Sequence, residues 1–307
     1  MFKIMDFNIF PRNTKHYGGD AGQKLGIDID GERWLLKFPK SKVDLEDPQV
    51  SYTTSPLSEY LGSHIYATFG IPVHETMLGI RDGKLVVACK DFEVEGLRFT
   101  EFKNIKNTYI PAIGDSVTSG SGTNLEEILT VLKLTDVTQE IPGLEERFWD
   151  MFLVDFFIHN NDRNNTNWGV LQDVDYRYMG LAPVFDNGNA FSNKRGQEVF
   201  ASRIEDRELL REDSYKTFTN TFLDAKGHHI HPAAYIMNTD NTGCINALER
   251  FSERISWDAI EDVFDEVPLA AEGMPVMSEV QKSYYQQMMK MALDDVLMPA
   301  YEKHTTR

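Results

Sequence analysis

The chain has 307 residues, 41% of them hydrophobic and 11% aromatic, which predicts two domains or one bilobal one and excludes an intrinsically disordered protein. Its 31 Lys and Arg against 48 Asp and Glu give a net charge of −17, and a surface that repels phosphate backbones argues against general nucleic-acid binding. The two cysteines, Cys89 and Cys244, do not form a CxxC pair, which excludes a disulfide framework and a cysteine-rich zinc site.

Apolar runs are short along the whole sequence, and the longest uninterrupted one covers residues 85–89. A membrane-spanning helix needs about 20 apolar residues. Residues 1–11 also lack the hydrophobic region of a signal peptide. We therefore expect a cytoplasmic protein without membrane contacts, and we leave open its secretion as an effector by another route.

Two β-hairpins are predicted in the first hundred residues. The β-type runs 25–30 and 33–39 meet at Asp30-Gly31, which is a strong signal for a two-residue hairpin turn. The runs 76–81 and 84–92 repeat this pattern around Asp82-Gly83.

A helix is predicted between the two hairpins. Ser55 is placed as its N-cap with Pro56 at the first helical position, and Gly70 ends it. Apolar side chains recur at helical spacing at Leu57, Leu61, Ile65 and Phe69.

The remainder of the chain is predominantly helical. Residues 144–160 are apolar on nearly every face, which is typical of a central core helix. The other predicted elements are helices over 124–134, 257–264 and 278–301 and strands over 168–172 and 178–185. We expect an α+β fold with a β-rich lobe over residues 1–102 and a helical lobe over residues 103–307, and a cleft between two such lobes is the usual place for a small-molecule site.

A polar loop rich in asparagine follows the apolar helix directly. Asp162 and Asn167 are five residues apart in it, so the loop can turn both side chains into one site. The Asp could accept a proton from a substrate hydroxyl, and the Asn amide oxygen could bind Mg²⁺. This is the Asp-x4-Asn arrangement of phosphoryl-transfer loops.

A second acidic signal is the sequence Asp186-Asn187-Gly188, which begins 19 residues after Asn167. A carboxylate at the end of a strand and next to a glycine turn is well placed to bind a metal, as in the Asp-Phe-Gly turn of protein kinases. Since Mg²⁺ takes few protein oxygens in addition to phosphates and water, Asn167 and Asp186 would suffice. Alone, such residues more often form ordinary Asx-turns, and only the conjunction of the two signals favours a site.

A glycine-rich segment precedes the first strand. Gly18, Gly19 and Gly22 could let backbone N–H groups approach phosphates. The segment matches neither a Walker A motif nor GxGxxG, and a plain turn is the alternative.

Lys37 is the candidate for direct phosphate contact in the first lobe. It lies in an otherwise apolar strand, where it could contact phosphates and pair with Glu59 of the predicted helix. The alternative is an ordinary lysine on an edge strand. Residues 87–92 would form the hinge beside the adenine, and Lys90 of this hinge is counted among the nucleotide-binding candidates.

The order of these motifs resembles the HipA-like Ser/Thr kinases, in the short, free-standing CtkA-like form whose architecture resembles phosphatidylinositol 3/4-kinases. The marker of the family is the loop Asn-x-Asp-Arg-x3-Asn, which covers residues 160–167 here. The segments 58–66 and 70–73 are also similar to the first-lobe helix and the following strand of that family.

The resemblance implies ATP- and Mg²⁺-dependent phosphorylation of a protein Ser or Thr in a protein-kinase-like fold. Carried over by position, Lys37 holds phosphates, Asp162 is the catalytic base, and Asn167 and Asp186 bind the metal. Asn164 stands where the family commonly has His. The extra N-terminal subdomain of full-length HipA toxins also has no counterpart before the glycine-rich segment, which leaves an antitoxin partner and the protein substrate open.

Residues 110–123 are expected to form a flexible polar loop rich in Gly and Ser. HipA-like kinases phosphorylate themselves on a Ser in a mobile loop. The resemblance therefore implies autophosphorylation here, at Ser116 or Ser119.

Two other functions remain compatible with the sequence. A small-molecule phosphotransferase would share the Asp-x4-Asn loop and the later Asp. A non-catalytic nucleotide-binding module that binds a partner would keep the fold and lose turnover.

Overall fold

The structure is a computed structural model that describes residues 4–17, 23–41, 53–94, 96–114, 117 and 119–305. The chain forms two compact units, each assembled from three separate segments. The first unit comprises Met1–Asp91, Phe185–Arg211 and Ile255–Lys290, and the second comprises Phe92–Val184, Glu212–Arg254 and Met291–Arg307. The predicted boundary between a β-rich lobe over residues 1–102 and a helical lobe over residues 103–307 stays a prediction.

Strands dominate the first third of the chain, where α1 lies between β3 and β4, and helices dominate afterwards. The strands are β1 (Met5–Asp6), β2 (Lys24–Ile29), β3 (Glu32–Lys37), β4 (Thr76–Arg81), β5 (Lys84–Lys90), β6 (Arg98–Glu101), β7 (Gly169–Gln172), β8 (Tyr178–Leu181), β9 (Ala270–Ala271) and β10 (Met274–Pro275). The α-helices are α1 (Ser55–Thr68), α2 (Phe102–Thr108), α3 (Ile110–Ile113), α4 (Leu125–Leu132), α5 (Thr135–Glu140), α6 (Leu144–Phe157), α7 (Gln197–Glu205), α8 (Arg207–Arg211), α9 (Pro232–Asn238), α10 (Thr242–Arg254), α11 (Trp257–Asp265), α12 (Glu279–Ala292) and α13 (Met298–Thr305). A 3₁₀ turn covers Phe7–Ile9, and π-helical turns cover Glu212–Lys216 and Leu293–Leu297. Within the described residues, no helix combines the length and the apolar character needed to span a bilayer.

The first unit is built on a five-stranded sheet with the order β1-β4-β5-β3-β2. The strands pair antiparallel except β1, which runs parallel to β4. Both predicted hairpins are confirmed, and their turn residues Asp30, Gly31, Asp82 and Gly83 all have φ between 50° and 83°, as a type I′ turn requires. Because β3 lies between β5 and β2, it is an internal strand, and the edge-strand explanation for its lysine is wrong.

Helix α1 packs against β4 and β5 and is buried along nearly its whole length. The opposite face of the sheet carries the apolar cluster Phe7, Leu25, Ile27, Ile29, Trp34, Leu36, Phe38, Val86 and Ala88. The predicted helix is confirmed, but Ser55 is its first residue and Thr54 occupies the capping position without a side-chain cap bond. The backbone N–H of Thr54 donates to the carbonyl of Asn193 at 2.9 Å, so the chain enters the helix one residue earlier than its sequence predicts.

The second unit is organised around α6, which confirms the predicted central helix. Its aromatic side chains are almost completely buried and pack against rings from later segments. Phe148 meets Phe222 with ring centroids 5.3 Å apart, and Trp149 stacks on Tyr235 at 5.8 Å. Strands β6, β7 and β8 form a three-stranded sheet in the same unit.

Residues 110–113 and 120–122 differ from the predicted flexible loop, and residues 115, 116 and 118 of that loop lie outside the described residues. Ile110–Ile113 form the short helix α3, and the carbonyls of Gly120 and Gly122 both accept hydrogen bonds from the Asn165 side chain at 2.8 Å. A partner 43 and 45 residues away holds this segment, and the local composition of glycine and serine does not reveal it.

Candidate functional site

The ammonium group of Lys37 connects three candidate residues within the first unit. Its Nζ lies 2.9 Å from Glu59 Oε2 and 2.8 Å from Asp186 Oδ1. The glutamate side chain is completely buried, whereas the aspartate side chain is 43% exposed. The structure therefore brings together a strand lysine, a helix glutamate and the acidic turn that the sequence singled out separately.

Strand alternation explains why Lys37 faces helix α1. Trp34 and Leu36 point into the apolar cluster, so the next residue along the strand points to the other face of the sheet, where α1 lies. Glu59 is buried inside α1 and needs a positive partner there, because an isolated ionised carboxylate is very costly in an apolar environment.

The electrostatics keep both members of this pair charged. Burial by itself would lower the pKa of Lys37, but Asp186 and Glu59 raise it above the usual lysine value. Burial would likewise raise the pKa of Glu59, but Lys37 and His74 hold it well below the usual carboxyl range. Lys37 therefore acts as a fixed positive charge and not as a general acid.

The acidic turn has a constrained backbone. Asp186 has φ of 60°, in the left-handed region that residues other than glycine rarely adopt, and such strain is found preferentially at functional sites. At Gly188, a Cβ would lie 3.0 Å from Glu59 Oε2, so any other residue would push the buried carboxylate away by a few tenths of an ångström. Asn187, where protein kinases have Phe, is buried and donates from Nδ2 to Ser63 Oγ at 3.0 Å.

His74 is a part of this cluster that sequence reasoning missed. Its Nε2 lies 3.0 Å from Glu59 Oε1, and ligand atoms of Glu59, His74 and Cys89 all lie within 4.8 Å of one another. Such a trio can hold a metal, but Lys37 already occupies the second glutamate oxygen, and burial raises the pKa of the Cys89 thiol. We interpret the cluster as an ion-pair network.

In the second unit, a buried ion pair shapes the loop after α6. Arg163 Nε lies 2.9 Å from Asp155 Oδ2, and Arg163 Nη2 donates to Asp155 Oδ1 at 3.1 Å. Asn160 Nδ2 donates to the same carboxylate at 2.9 Å, and Arg163 Nη1 donates to the carbonyl of Asn167 at 3.0 Å. A carboxylate of the core helix thus fixes both ends of the loop.

The structure brings Asp162 and Asn167 together inside this loop. Asn167 Nδ2 donates to the carbonyl of Asp162 at 2.9 Å, and Asp162 is exposed although its neighbour Arg163 is buried. Asn164, where the resemblance implied His, accepts from the backbone N and Oγ1 of Thr166 at 2.9 and 2.7 Å. The substituted residue therefore stabilises the loop from within.

Lys106 and Asn165 tie the segment before α4 to this loop. Asn165 Nδ2 donates to the carbonyls of Gly120 and Gly122, and Lys106 Nζ donates to the carbonyl of Gly122 at 2.7 Å and to Glu127 Oε2 at 2.6 Å. The Lys106 side chain is completely buried and that of Glu127 is 27% exposed, so their ion pair is partly shielded from water.

The glycine candidates Gly18, Gly19 and Gly22 lie outside the described residues. The chain that leads to them is held by Asp91, whose Oδ2 accepts from the hydroxyl of Tyr17 at 3.1 Å. Burial and Asp91 together raise the pKa of that phenol above its usual value, so it remains a hydrogen-bond donor at neutral pH.

Lys90 is the one nucleotide-binding candidate whose described side chain is engaged elsewhere. Its Nζ lies 2.9 Å from Glu32 Oε1 and 3.0 Å from Glu75 Oε1, and it sits over the ring of Trp34 at 5.9 Å. The Lys37 contacts do not include it. A role of its backbone in nucleotide binding stays a prediction.

The residues that the sequence did not reveal are charged partners in apolar surroundings. Asp155 carried the clearest signal, since it is a carboxylate inside the most apolar helix of the chain. His74 and Asp91 carried none, because their partners come from other segments.

Comparison with known proteins places this geometry in context. Residues 18–258 match the model of the HipA-like C-terminal domain. The Serine/threonine-protein kinase CtkA of Helicobacter pylori is 30% identical over 286 residues, which cover 93% of this chain and 84% of that protein.

Two solved structures resemble the fold. The crystal structure of a proinflammatory kinase CtkA from Helicobacter pylori matches with a TM-score of 0.89 and 29% identity over 99% of this chain and 98% of that one. HipA from a toxin–antitoxin complex of Shewanella oneidensis MR-1 with HipB and operator DNA matches with a TM-score of 0.52 and 12% identity over 97% of this chain and 70% of that one, which shows a shared fold alone. The match to CtkA confirms the expected α+β, protein-kinase-like fold.

We predict that Glu59→Gln lowers the free energy of unfolding at pH 7 by about 3 kcal/mol, because it breaks a buried ion pair. A carboxyl whose pKa is depressed in the folded state contributes stability above its unfolded value of about 4.3 and loses it as the pH falls towards the folded value. The difference from wild type should therefore be full at pH 7 and shrink in acid, as measured by urea unfolding.

The control for this measurement is Glu75→Gln, which removes a glutamate that is 67% exposed and contacts Lys90. An exposed pair contributes about 1 kcal/mol or less, so this variant should stay close to wild type. Equal losses in the two variants, or a Glu59→Gln loss that does not depend on pH, would contradict the prediction.

Proposed function

We propose that this chain, which belongs to the family of the HipA-like C-terminal domain, transfers the γ-phosphoryl group of ATP to a Ser or Thr hydroxyl of a protein. As its motifs predict, it is a serine/threonine-protein kinase related to CtkA. In this proposal the ATP is bound together with Mg²⁺. The observation that supports the proposal best is the lysine of an internal strand paired with both a buried helix glutamate and an acidic turn. Catalysis of phosphoryl transfer consists mainly of positioning and charge stabilisation, and under this proposal these residues would supply both.

Lys37 is proposed to hold the phosphates of the nucleotide. Lys37 stays protonated, and the ion pair with Glu59 fixes the position of its ammonium group. Asp186 offers an exposed carboxylate, and Asn167 offers an amide oxygen, which are the hard oxygen ligands that Mg²⁺ prefers. The ion would neutralise the charge of the phosphates that Lys37 also contacts.

Asp162 is proposed as the catalytic base. Its side chain is exposed, while its backbone is held by Asn160 and Asn167, so the carboxylate is presented from a fixed loop. It would accept the proton of the attacking hydroxyl as the oxygen bonds to phosphorus. Such a base typically contributes 10²- to 10⁴-fold to the rate.

The protein substrate, an antitoxin partner and a cytoplasmic location remain predictions. HipA of Shewanella oneidensis MR-1 occurs in a complex with HipB and DNA, but 12% identity carries only the fold to this chain. The product of the reaction separates the alternatives, since a small-molecule phosphotransferase would leave proteins unlabelled and a binding module would leave ATP intact.

We predict that ATP stabilises the protein only when Mg²⁺ is present. A ligand at 100 times its dissociation constant adds about 2.7 kcal/mol to the free energy of unfolding, so the melting temperature should rise. Thermal melting with millimolar ATP, with and without EDTA, measures this effect. An unchanged melting temperature with ATP and Mg²⁺ would contradict the proposal.

We predict that Asp162→Ala lowers turnover by about 10³-fold and leaves the affinity for Mg·ATP nearly unchanged, because the base contacts the hydroxyl and not the nucleotide. Asp186→Asn, which tolerates the left-handed backbone, should lose both. Radiolabel transfer to myelin basic protein and titration calorimetry with Mg·ATP measure the two quantities.

The control for these variants is Asp175→Ala, an exposed aspartate between β7 and β8. It should match wild type in both assays. If Asp162→Ala and Asp186→Asn lose nucleotide affinity equally, the roles are assigned wrongly.

We predict that the protein slowly phosphorylates itself in the segment 110–123. Ser116 lies outside the described residues, whereas Ser119 is exposed and its Oγ lies 2.7 Å from Ser121 Oγ. Peptide mapping by mass spectrometry after incubation with ATP and Mg²⁺ locates the phosphate. An active enzyme that carries phosphate only outside residues 110–123, or none, would contradict this prediction.

A further inference from the structure

Glu59 has two partners, and only one of them belongs to the proposed phosphate-binding machinery. Lys37 contacts Oε2 at 2.9 Å, and His74 contacts Oε1 at 3.0 Å from just before β4. A carboxylate oxygen at that distance repels a nitrogen lone pair, which places the proton on Nε2. That N–H has hydrogen-bond geometry towards Ser63 Oγ, and its contact with Glu59 Oε1 is electrostatic rather than a hydrogen bond. The glutamate side chain is completely buried, so water does not provide a substitute for this contact.

The same imidazole nitrogen also reaches the acidic turn through a hydroxyl. His74 Nε2 lies 3.2 Å from Ser63 Oγ, and Asn187 Nδ2 donates to that hydroxyl at 3.0 Å. Ser63 follows Glu59 by four residues, so the two lie on one face of α1. Asn187 directly follows Asp186, and these contacts form a continuous path from the glutamate to the turn.

We propose that His74 is a positioning residue for phosphoryl transfer, because it holds the Glu59 carboxylate in the orientation that Lys37 needs. Through Ser63, it also fixes the backbone next to Asp186. This inference rests on the proposed function and adds to it a residue that never touches the nucleotide.

The need for such a residue follows from the contacts of Lys37. In the described structure, the ammonium group is shared between Glu59 and Asp186. Under the proposed function, it must also contact phosphates, which weakens its hold on the buried glutamate. A second polar group close to the carboxylate and not used for nucleotide binding, the His74 imidazole N–H, would keep that carboxylate in one rotamer throughout.

Other ionisable groups also face this cluster. Cys89 of β5 is close to Glu59, and burial raises the pKa of its thiol, so it adds no charge. His64, one residue after Ser63, stacks against Tyr60 with ring centroids 4.0 Å apart. His64 provides a matched control, because it is a histidine of α1, the helix that carries Glu59 and Ser63, and its ring packs on Tyr60.

The experiment compares His74→Leu, His74→Gln and His64→Gln by titration calorimetry with Mg·ATP and by thermal melting. His74→Leu removes the donor and should weaken Mg·ATP binding about tenfold. His74→Gln restores an N–H donor and should recover affinity to within about threefold of wild type. His64→Gln should lower the melting temperature at most and leave nucleotide affinity unchanged.

Ser63→Ala keeps the inference testable if His74→Leu does not fold. It removes the hydroxyl between His74 and Asn187 and should weaken Mg·ATP binding about threefold. The double variant of Ser63→Ala and His74→Gln should lose less Mg·ATP affinity than the product of the two separate fold-changes, since both residues act on one path.

The outcomes separate this inference from the proposed function. A wild-type protein that binds no Mg·ATP overturns both. A wild-type protein that binds Mg·ATP, with the same affinity in His74→Leu or in Ser63→Ala, overturns only the positioning role. Failure of His74→Gln to recover affinity in a folded protein shows that shape and not hydrogen bonding matters, and this also overturns it.

Discussion

A completely buried carboxylate sets the main physical constraint on the first unit. Glu59 lies inside a helix that is buried along nearly its whole length, where an unpaired negative charge would be prohibitively costly. Lys37 of an internal strand neutralises it, His74 of the segment before β4 lies 3.0 Å from its other oxygen, and the backbone at Gly188 approaches it closely. The loop after α6 follows the same rule, since its buried Arg163 is balanced by a helix carboxylate. In both places, burial makes a mispaired arrangement expensive and so selects one geometry.

Local signals were sufficient to predict both hairpins, strands β7 and β8 and helices α1 and α6, and they singled out Lys37, Glu59 and Asp186, which the structure brings together. The turn Asp30-Gly31 has a backbone preference that two adjacent residues determine, and helix α6 is apolar on nearly every face. Lys37 was conspicuous because a lysine in an apolar strand needs an explanation. Its contact with Asp186 joins residues separated by 149 positions, and only the family pattern indicated that they act together.

The features that sequence reasoning missed depend on contacts between distant segments. His74 is an ordinary residue until the chain folds and places it beside a buried carboxylate. Ser55 has the residue type of a helix cap, but the carbonyl of Asn193 binds Thr54 and shifts the helix start. The segment 110–123 has the composition of a mobile loop, yet the Asn165 side chain, 43 to 45 residues further on, holds the carbonyls of Gly120 and Gly122. Composition reports local freedom, and it cannot report which distant group removes that freedom.

The interleaved division of the chain into two units affects how it can be synthesised. The first unit needs its segment Ile255–Lys290, and the second needs Met291–Arg307, so neither is complete until almost the whole chain has left the ribosome. Domains that are continuous in sequence fold one after another during translation, N-terminal first. This chain has no such early stopping point, because Asp186, the partner of Lys37, is synthesised 149 positions after it. A cell that produces it must protect a long nascent chain, and proteolytic removal of the last segments would damage both units at once.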